Sequence, residues 1–259
     1  MCRIACYLGR EILLKDLLLE PHHSLLKQSW EPLEMREGRL NADGYGFGWY
    51  DDNGRAARYS NPMPIWTDPN LEPLARSLSK QLWMANVRSA TRNMDVSHAN
   101  TQPFLDDRYI FLHNGYIKDF PTEVRHGFRC GLDADIDAHV HGTTDSEYLF
   151  ALFRQLRRKH QNFELTDLLA ALLDDLGKSM AGRKCLLNIA VSDGQNIVAS
   201  RHAVNGDCPS LYYTVNNACF PDAVVVASEP LHPDRGWVSL PNHSIISIDD
   251  NGHADISPL

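Results

Sequence analysis

Met1-Cys2-Arg3-Ile4-Ala5-Cys6-Tyr7-Leu8 opens the chain, and the run from Cys2 to Leu8 reads as a strand with a cysteine as its first residue. A small side chain at position 2 suits removal of the initiator methionine. Cys2 would then carry a thiol nucleophile and a free α-amine on one residue. The amine has an ordinary pKa of about 7.7 to 8.0 and the thiol about 8.5, so the amine can take the thiol proton near neutral pH without a separate histidine. Cys2 can equally be a plain buried residue of a first strand. The sequence further along has to decide between the two.

Outward from that strand, Glu11 to Glu20 has the apolar spacing of a helix that stops at Pro21. Gly46 to Tyr50 and Arg55 to Tyr59 flank Asp51-Asp52-Asn53-Gly54, whose Asn-Gly step signals a hairpin. Leu71 to Gln81 reads as helix, Leu82 to Arg88 as strand, and Tyr109 to Leu112 as strand. Thr144 and Glu147 have capping-box spacing at the start of a helix that runs to about His160, and a second helix covers Asp167 to Met180. Further strands follow at Cys185 to Val191, Asn196 to Arg201, Leu211 to Val215, Ala223 to Ala227 and Ile245 to Ile248. Strands at both ends with helices between predict one layered domain over 1–259, its sheets combining early and late segments. The Pro-rich stretch Asn61 to Pro73 reads as a long loop within it.

At 259 residues and 43% hydrophobic content the chain can bury a large core. A net charge of −8 with no Lys/Arg block offers no footprint for nucleic acid or an anionic membrane. No apolar run approaches the roughly 18 residues of a membrane span, and residues 1–20 lack signal-peptide order. Six cysteines at irregular spacing argue against a disulfide framework, so a cytoplasmic protein is expected.

Three segments carry candidate chemistry. Arg88 closes a strand, where a held guanidinium can take a carboxylate in bidentate fashion; it can also be a surface residue. In His113-Asn114-Gly115, an Asn amide and a Gly N–H at a strand-end corner can receive an oxyanion, although Asn-Gly is common in ordinary turns. Asp145, in the first turn of its helix, can meet a ligand ammonium. Thr144 and Glu147 are read as capping residues only. Ser228 and Glu229, at a strand end, are candidates to close the site from the far half.

Cys2, Arg88, His113-Asn114-Gly115 and Thr144-Asp145-Ser146-Glu147, in that order, resemble the glutaminase domain of class II glutamine amidotransferases, within the N-terminal-nucleophile hydrolases. The resemblance extends through Asn41-Ala42-Asp43-Gly44-Tyr45-Gly46-Phe47-Gly48-Trp49 and Thr101-Gln102-Pro103-Phe104. It implies an α+β fold, a four-layer αββα sandwich, and a small-molecule γ-glutamyl substrate. It also implies Cys2 as nucleophile with its amine as base, Asn114 and Gly115 as the oxyanion hole, and Arg88 and Asp145 as the grip on the substrate's α-carboxylate and α-amine, with Thr91 and His113 in substrate binding. Cys2 attack would give a γ-glutamyl thioester that water cleaves to glutamate. No cofactor or metal is implied. Many relatives have His before the Pro of the Thr-His-Pro-Phe string, where this chain has Gln102.

Pro21-His22-His23-Ser24, Gln28-Ser29-Trp30-Glu31-Pro32 and Ala227-Ser228-Glu229-Pro230-Leu231 are most similar to the stand-alone γ-glutamyl hydrolases of ergothioneine biosynthesis, which act on γ-glutamyl-hercynylcysteine sulfoxide. The alternative is a glutaminase-like subunit acting on glutamine or a glutathione-type γ-glutamyl peptide with a separate synthase or peptidase partner. A third reading is a non-catalytic γ-glutamyl-binding protein. A homo-oligomer is compatible with all three. His139 and His141 would share a strand face and so form a candidate metal pair; the resemblance requires none. Trp30, Trp49 and Trp66 are candidates for the leaving-group side, with the core as the better place for Trp49.

Overall fold

Alternation along the first strand sets the architecture. β1 (Arg3–Leu13) sends Ile4, Cys6 and Leu8 to one side and Ala5 and Tyr7 to the other, and each set is buried in a different apolar layer. The computed structural model describes all residues except Arg36, Glu37, Arg92, Asn93, Ala181, Asp234 and Arg235. The remaining strands are β2 (Tyr45–Tyr50), β3 (Ala56–Asn61), β4 (Ser79–Val87), β5 (Phe104–Leu105), β6 (Ile110–Ile117), β7 (Cys185–Ser192), β8 (Ile197–Arg201), β9 (Ala203–Val204), β10 (Tyr212–Asn217), β11 (Phe220–Ala227), β12 (Val238–Ser239), β13 (Ser244–Ile248) and β14 (Ala254–Pro258). They form two antiparallel sheets, one in the order β12-β10-β11-β1-β4-β2-β3 and one in the order β14-β13-β8-β7-β6-β5, with β9 paired to β7.

The sheets pack face to face through Ile4, Cys6, Met84, Ile110, Leu112, Ala190, Ala199, Val226 and Ile246. Outside the first sheet lie α1 (Leu14–Leu18), α2 (Leu25–Trp30) and α3 (Leu71–Ser77), covering Tyr7, Phe47 and Trp83. Outside the second lie α4 (Arg125–Gly131), α5 (Ala134–Asp137), α6 (Asp145–Lys159) and α7 (Leu165–Ser179), covering Phe111, Leu187 and Ile189. The protein is thus the expected α+β sandwich of four layers, αββα.

Two expected helices are shorter than their apolar spacing suggests, for one shared reason. Ile12 pairs with Lys80 and Leu13 with Ser79. That pairing lengthens β1 and β4 at the expense of the ends of the expected Glu11–Glu20 and Leu71–Gln81 helices. The ladder satisfies these backbone groups with a partner strand, which overrides local propensity. The 51–54 hairpin forms as read, with Asp51 Oδ1 accepting from the amides of Asn53 and Arg55. The 61–73 stretch is partly structured, by a 3₁₀ turn at Ile65–Thr67 and the first turn of α3. His113-Asn114-Gly115 lies inside β6 rather than at a corner, because β7 pairs with it from Ile110 through Ile117.

Candidate active site

Three strand ends meet at one edge of the first sheet: Arg3 pairs with Val87, and Val87 with Tyr45. One residue further out stand Cys2, before β1, and Arg88, after β4. Cys2 shares the parity of Ile4 and Cys6 and therefore faces the layer between the sheets. It is buried, and its thiol lies 3.9 Å from the Ser89 carbonyl oxygen. Met1 is buried against Leu186, Ala203 and Cys208, with Tyr116 packed on that cluster. While Met1 is attached, the Cys2 nitrogen is an amide and accepts no proton. Its removal frees the amine and empties an apolar recess next to it.

Arg88 is only 4% exposed. Its Nη1 donates to the Asp43 carbonyl at 3.1 Å and its Nη2 to the Asp95 carbonyl at 3.3 Å. Among the described residues no carboxylate forms an ion pair with it. The turn that presents Asp43 is fastened to the same strand end: the Arg88 amide donates to Gly44 O, the Asp43 amide to Arg88 O, and the Ala90 amide to Asp43 Oδ2. Gly44 has φ +115°, and a Cβ there would meet Asn61 O and Thr101 Oγ1, both at 3.1 Å. Asn41 anchors the approach to this turn by donating Nδ2 to Gln28 O.

Asn114 comes from the second sheet. By parity with Ile110 and Leu112 its side chain faces the inter-sheet layer, as Cys2 does, whereas His113 and Phe111 face the helices. Asn114 is fully buried; Nδ2 donates to Ser228 Oγ at 3.2 Å, which leaves one amide hydrogen, and its Oδ1 has no partner among the described residues. Ser228 Oγ also accepts from the Ile4 amide at 3.0 Å, so one hydroxyl ties Asn114 to the first strand two residues beyond Cys2.

Gly115 sits opposite Leu187, whose amide turns away to His202 O. The pair is therefore a non-exchanging one, and the Gly115 N–H points off β6 on the side away from β7. Two residues earlier on that side, Gln102 occupies the His113 backbone with both ends of its amide: Nε2 donates to His113 O at 2.9 Å, and the His113 amide donates to Oε1 at 2.6 Å. Gln102, which precedes a cis peptide to Pro103, thus replaces a strand partner and ends just short of Gly115. A Cβ on Gly115 would fall 1.8 Å from Leu186 O, so only glycine fits.

His113 stands behind this arrangement. Leu186 O can only accept, so Nε2–H donates to it at 2.9 Å, and Nδ1 accepts from the Ser146 hydroxyl at 2.9 Å. Full burial lowers the imidazole's pKa, against the opposing charge of Asp145, and the ring stays neutral. With both nitrogens engaged, its place is that of a brace between β6 and α6 rather than the substrate contact expected from the sequence. Asp145 is 3% exposed; Oδ2 accepts from the Ile117 amide at 2.8 Å and Oδ1 from the Ser146 amide at 2.8 Å. Two of a carboxylate's roughly four acceptor sites are filled. Thr144 caps α6 by accepting from the Glu147 amide, while the Glu147 carboxylate takes the amides of His141 and Gly142. Thr91 is exposed, in the loop three residues beyond Arg88.

Other candidates lie apart. His139 and His141 follow the short helix α5 rather than sharing a strand, and among the described residues no group of three His, Cys, Asp or Glu side chains could hold a metal. Trp30 and Trp66 meet edge to face at 5.8 Å in a recess with Leu26 and Leu71 on the α1–α3 side, and Trp49 packs on Phe47 and Trp83 in the core. No helix among the described residues is long and apolar enough to cross a membrane. Sequence reading did not foresee Arg3; its one signal was a cation directly after Cys2 in an otherwise apolar strand.

The family model described as glutamine amidotransferases class-II matches residues 24–223. The chain belongs to the class II glutamine amidotransferases. Within this amidotransferase family, it is 31% identical over the full length of both chains to the gamma-glutamyl-hercynylcysteine sulfoxide hydrolase of Mycolicibacterium smegmatis. It is 28% identical to a probable glutamine amidotransferase of Saccharomyces cerevisiae, over 96% of this chain and 82% of that one. A glutamine aminotransferase class-II domain protein from Silicibacter pomeroyi superposes with a TM-score of 0.73 at 24% identity, covering 100% of this chain and 99% of that one. The enzyme class expected from the sequence, an amidohydrolase of the class II amidotransferase type, stands with that membership.

Proposed function

We propose that the protein is a cytoplasmic γ-glutamyl amidohydrolase, acting as a single domain over 1–259 through a Cys2 thioester. The observation that carries this reading is Arg88: a buried guanidinium, held by two carbonyls and unneutralised among the described residues, one residue past the pair that flanks Cys2. Burying such a charge is costly unless an anion completes the site. An α-carboxylate suits it, an open acceptor site on Asp145 suits the α-ammonium, and Thr91 lies in the loop beside the head group.

Once Met1 is removed, the Cys2 amine takes the thiol proton and Sγ attacks the γ-carbonyl carbon. The remaining Asn114 amide hydrogen and the Gly115 N–H receive the oxyanion. The ammonium returns its proton to the departing amine as the C–N bond breaks, leaving a γ-glutamyl thioester. Water, deprotonated by the same amine, then cleaves the thioester to glutamate and free thiol. His113 and Gln102 hold β6 in place for these steps.

The substrate proposed is γ-glutamyl-hercynylcysteine sulfoxide, supported by the full-length similarity to the mycobacterial hydrolase. Glutamate release from glutamine, glutathione, γ-glutamyl-cysteine and the sulfoxide conjugate tests it. Pure protein lacking Met1 should turn over the conjugate with kcat/KM far above that for glutamine. Inertness to the conjugate, with glutaminase activity appearing only when a second protein is added, would replace this reading with the partner-dependent glutaminase.

A further inference from the structure

Past Ala227 the chain leaves its ladder with β1, and the next two side chains both turn onto the residues that follow Cys2. Ser228 Oγ accepts from the Ile4 amide, and the Ser228 amide donates to Ile4 O at 2.9 Å. Glu229 is 1% exposed, and its Oε1 lies 2.8 Å from Nε of Arg3, which is fully buried. Arg3 Nη1 in turn donates to the Cys2 carbonyl at 3.1 Å. The other Glu229 contacts reach a different segment: His23 Nε2 lies 2.7 Å from Oε2, the Leu33 amide donates to Oε2 at 2.8 Å, and the Glu34 amide to Oε1 at 3.1 Å. Burial alone would raise this carboxyl's pKa; His23, Arg3 and the two amides outweigh it and leave it below the ordinary value.

We propose that Ser228, Glu229 and Arg3 are positioning residues that set the Cys2 backbone against the Asn114 amide, an inference that rests on the γ-glutamyl amidohydrolase reading. Cys2 immediately precedes β1 and, once Met1 is gone, has no chain before it. The peptide plane of a free terminal residue, and with it the position of its Cα, can tilt about the N–Cα bond of the next residue unless its carbonyl is held. Arg3 holds that carbonyl, and Glu229 fixes Arg3 by charge. Ser228, the residue before Glu229, carries the Asn114 amide on the same hydroxyl that registers Ile4. Nucleophile and oxyanion donor come from different sheets, and residues 228–229 join them. A misplacement of about 1 Å at such a site can cost on the order of 10²-fold in rate.

The test compares folded variants by steady-state kinetics on whichever γ-glutamyl compound the wild type cleaves, and by the rate at which iodoacetamide alkylates Cys2. Glu229→Gln strands a buried guanidinium and can fail to fold, so the deciding variant is Arg3→Met combined with Glu229→Met. It removes both charges at similar volume, a change that cores commonly tolerate. That double variant should keep its circular dichroism spectrum, lose roughly 10- to 100-fold in kcat, and hold KM and alkylation rate within about threefold. Ser228→Ala should lower kcat about tenfold with KM unchanged. A folded double variant with kcat within about twofold of wild type would overturn the inference. So would a large rise in alkylation rate, which would mark Arg3 and Glu229 as mere supports of the local fold. Wild type inert to every γ-glutamyl compound would instead remove the reading on which the inference rests.

Discussion

Asn114→Ala separates chemistry from structure at a single buried side chain. The amide has one bond, to Ser228 Oγ, and one buried oxygen without a partner among the described residues. Deleting the side chain gives up a hydrogen bond of about 1 kcal/mol and relieves an unsatisfied acceptor of about 1–3 kcal/mol. Truncating to Ala also leaves a small void. These terms nearly cancel, so the urea unfolding free energy should stay within about 1 kcal/mol of wild type. Ser228 keeps the Ile4 amide as a donor, so the first strand stays in register. The catalytic loss is of a different size. One oxyanion donor is worth roughly 3–4 kcal/mol, which lowers kcat on the order of 10²- to 10³-fold. KM should scarcely change, because the ground-state carbonyl carries little of the charge that the amide meets in the transition state. Steady-state glutamate release and urea titration on the same preparation read both quantities. An effect confined to KM, or activity lost only in step with stability, would refute the oxyanion role.

Arg88→Lys should lower kcat/KM about 100-fold for glutamine and for a bulky γ-glutamyl conjugate alike, since a point charge replaces a planar fork at the shared α-carboxylate; unequal losses would place Arg88 on the leaving-group side. Gln102→Ala leaves the His113 N–H and C=O without their partner and should cost about 2–4 kcal/mol in urea unfolding; a loss below about 0.5 kcal/mol would mean that Gln102 does not hold β6. Burial lowers the pKa of His113, and burial with nearby His243 brings His202 down to about 4. The unfolded chain, with histidines near 6.5, therefore takes up protons first. The contribution of both is complete above about pH 6.5 and is lost as pH falls below that, for His202 toward about 4, at up to about 1.4 kcal/mol per pH unit per histidine. Urea midpoints at pH 7.5 and 5.5 should show the drop, and His202→Asn should make it shallower; a flat profile would contradict the burial of the two rings.

Much of this was legible in the sequence because the signals are local. Thr144 and the Asn53-Gly54 step announced a helix start and a hairpin by chemistry that acts within a few residues, and both form as read. Boundaries at residues 11–20 and 71–81 were lost where two segments nearly seventy residues apart extend each other as strands. The strand-end corner read at His113-Asn114-Gly115 followed the turn preference of Asn-Gly, which pairing with β7 overrides. Parity along β6 would have separated Asn114, with Ile110 and Leu112, from His113, with Phe111. That pattern becomes usable only once the strand is known to continue through the glycine. The tie between Ser228-Glu229 and Arg3-Ile4 spans more than two hundred residues and has no local periodicity to betray it.

Mass spectrometry after treatment with a γ-glutamyl diazoketone decides whether Cys2 is a terminal nucleophile. The chain should begin at Cys2 and carry one adduct on the Cys2 sulfur, with turnover abolished in proportion to labelling. Labelling at Cys6 or Cys130, or a chain that retains Met1 yet turns over substrate at full rate, would contradict that role.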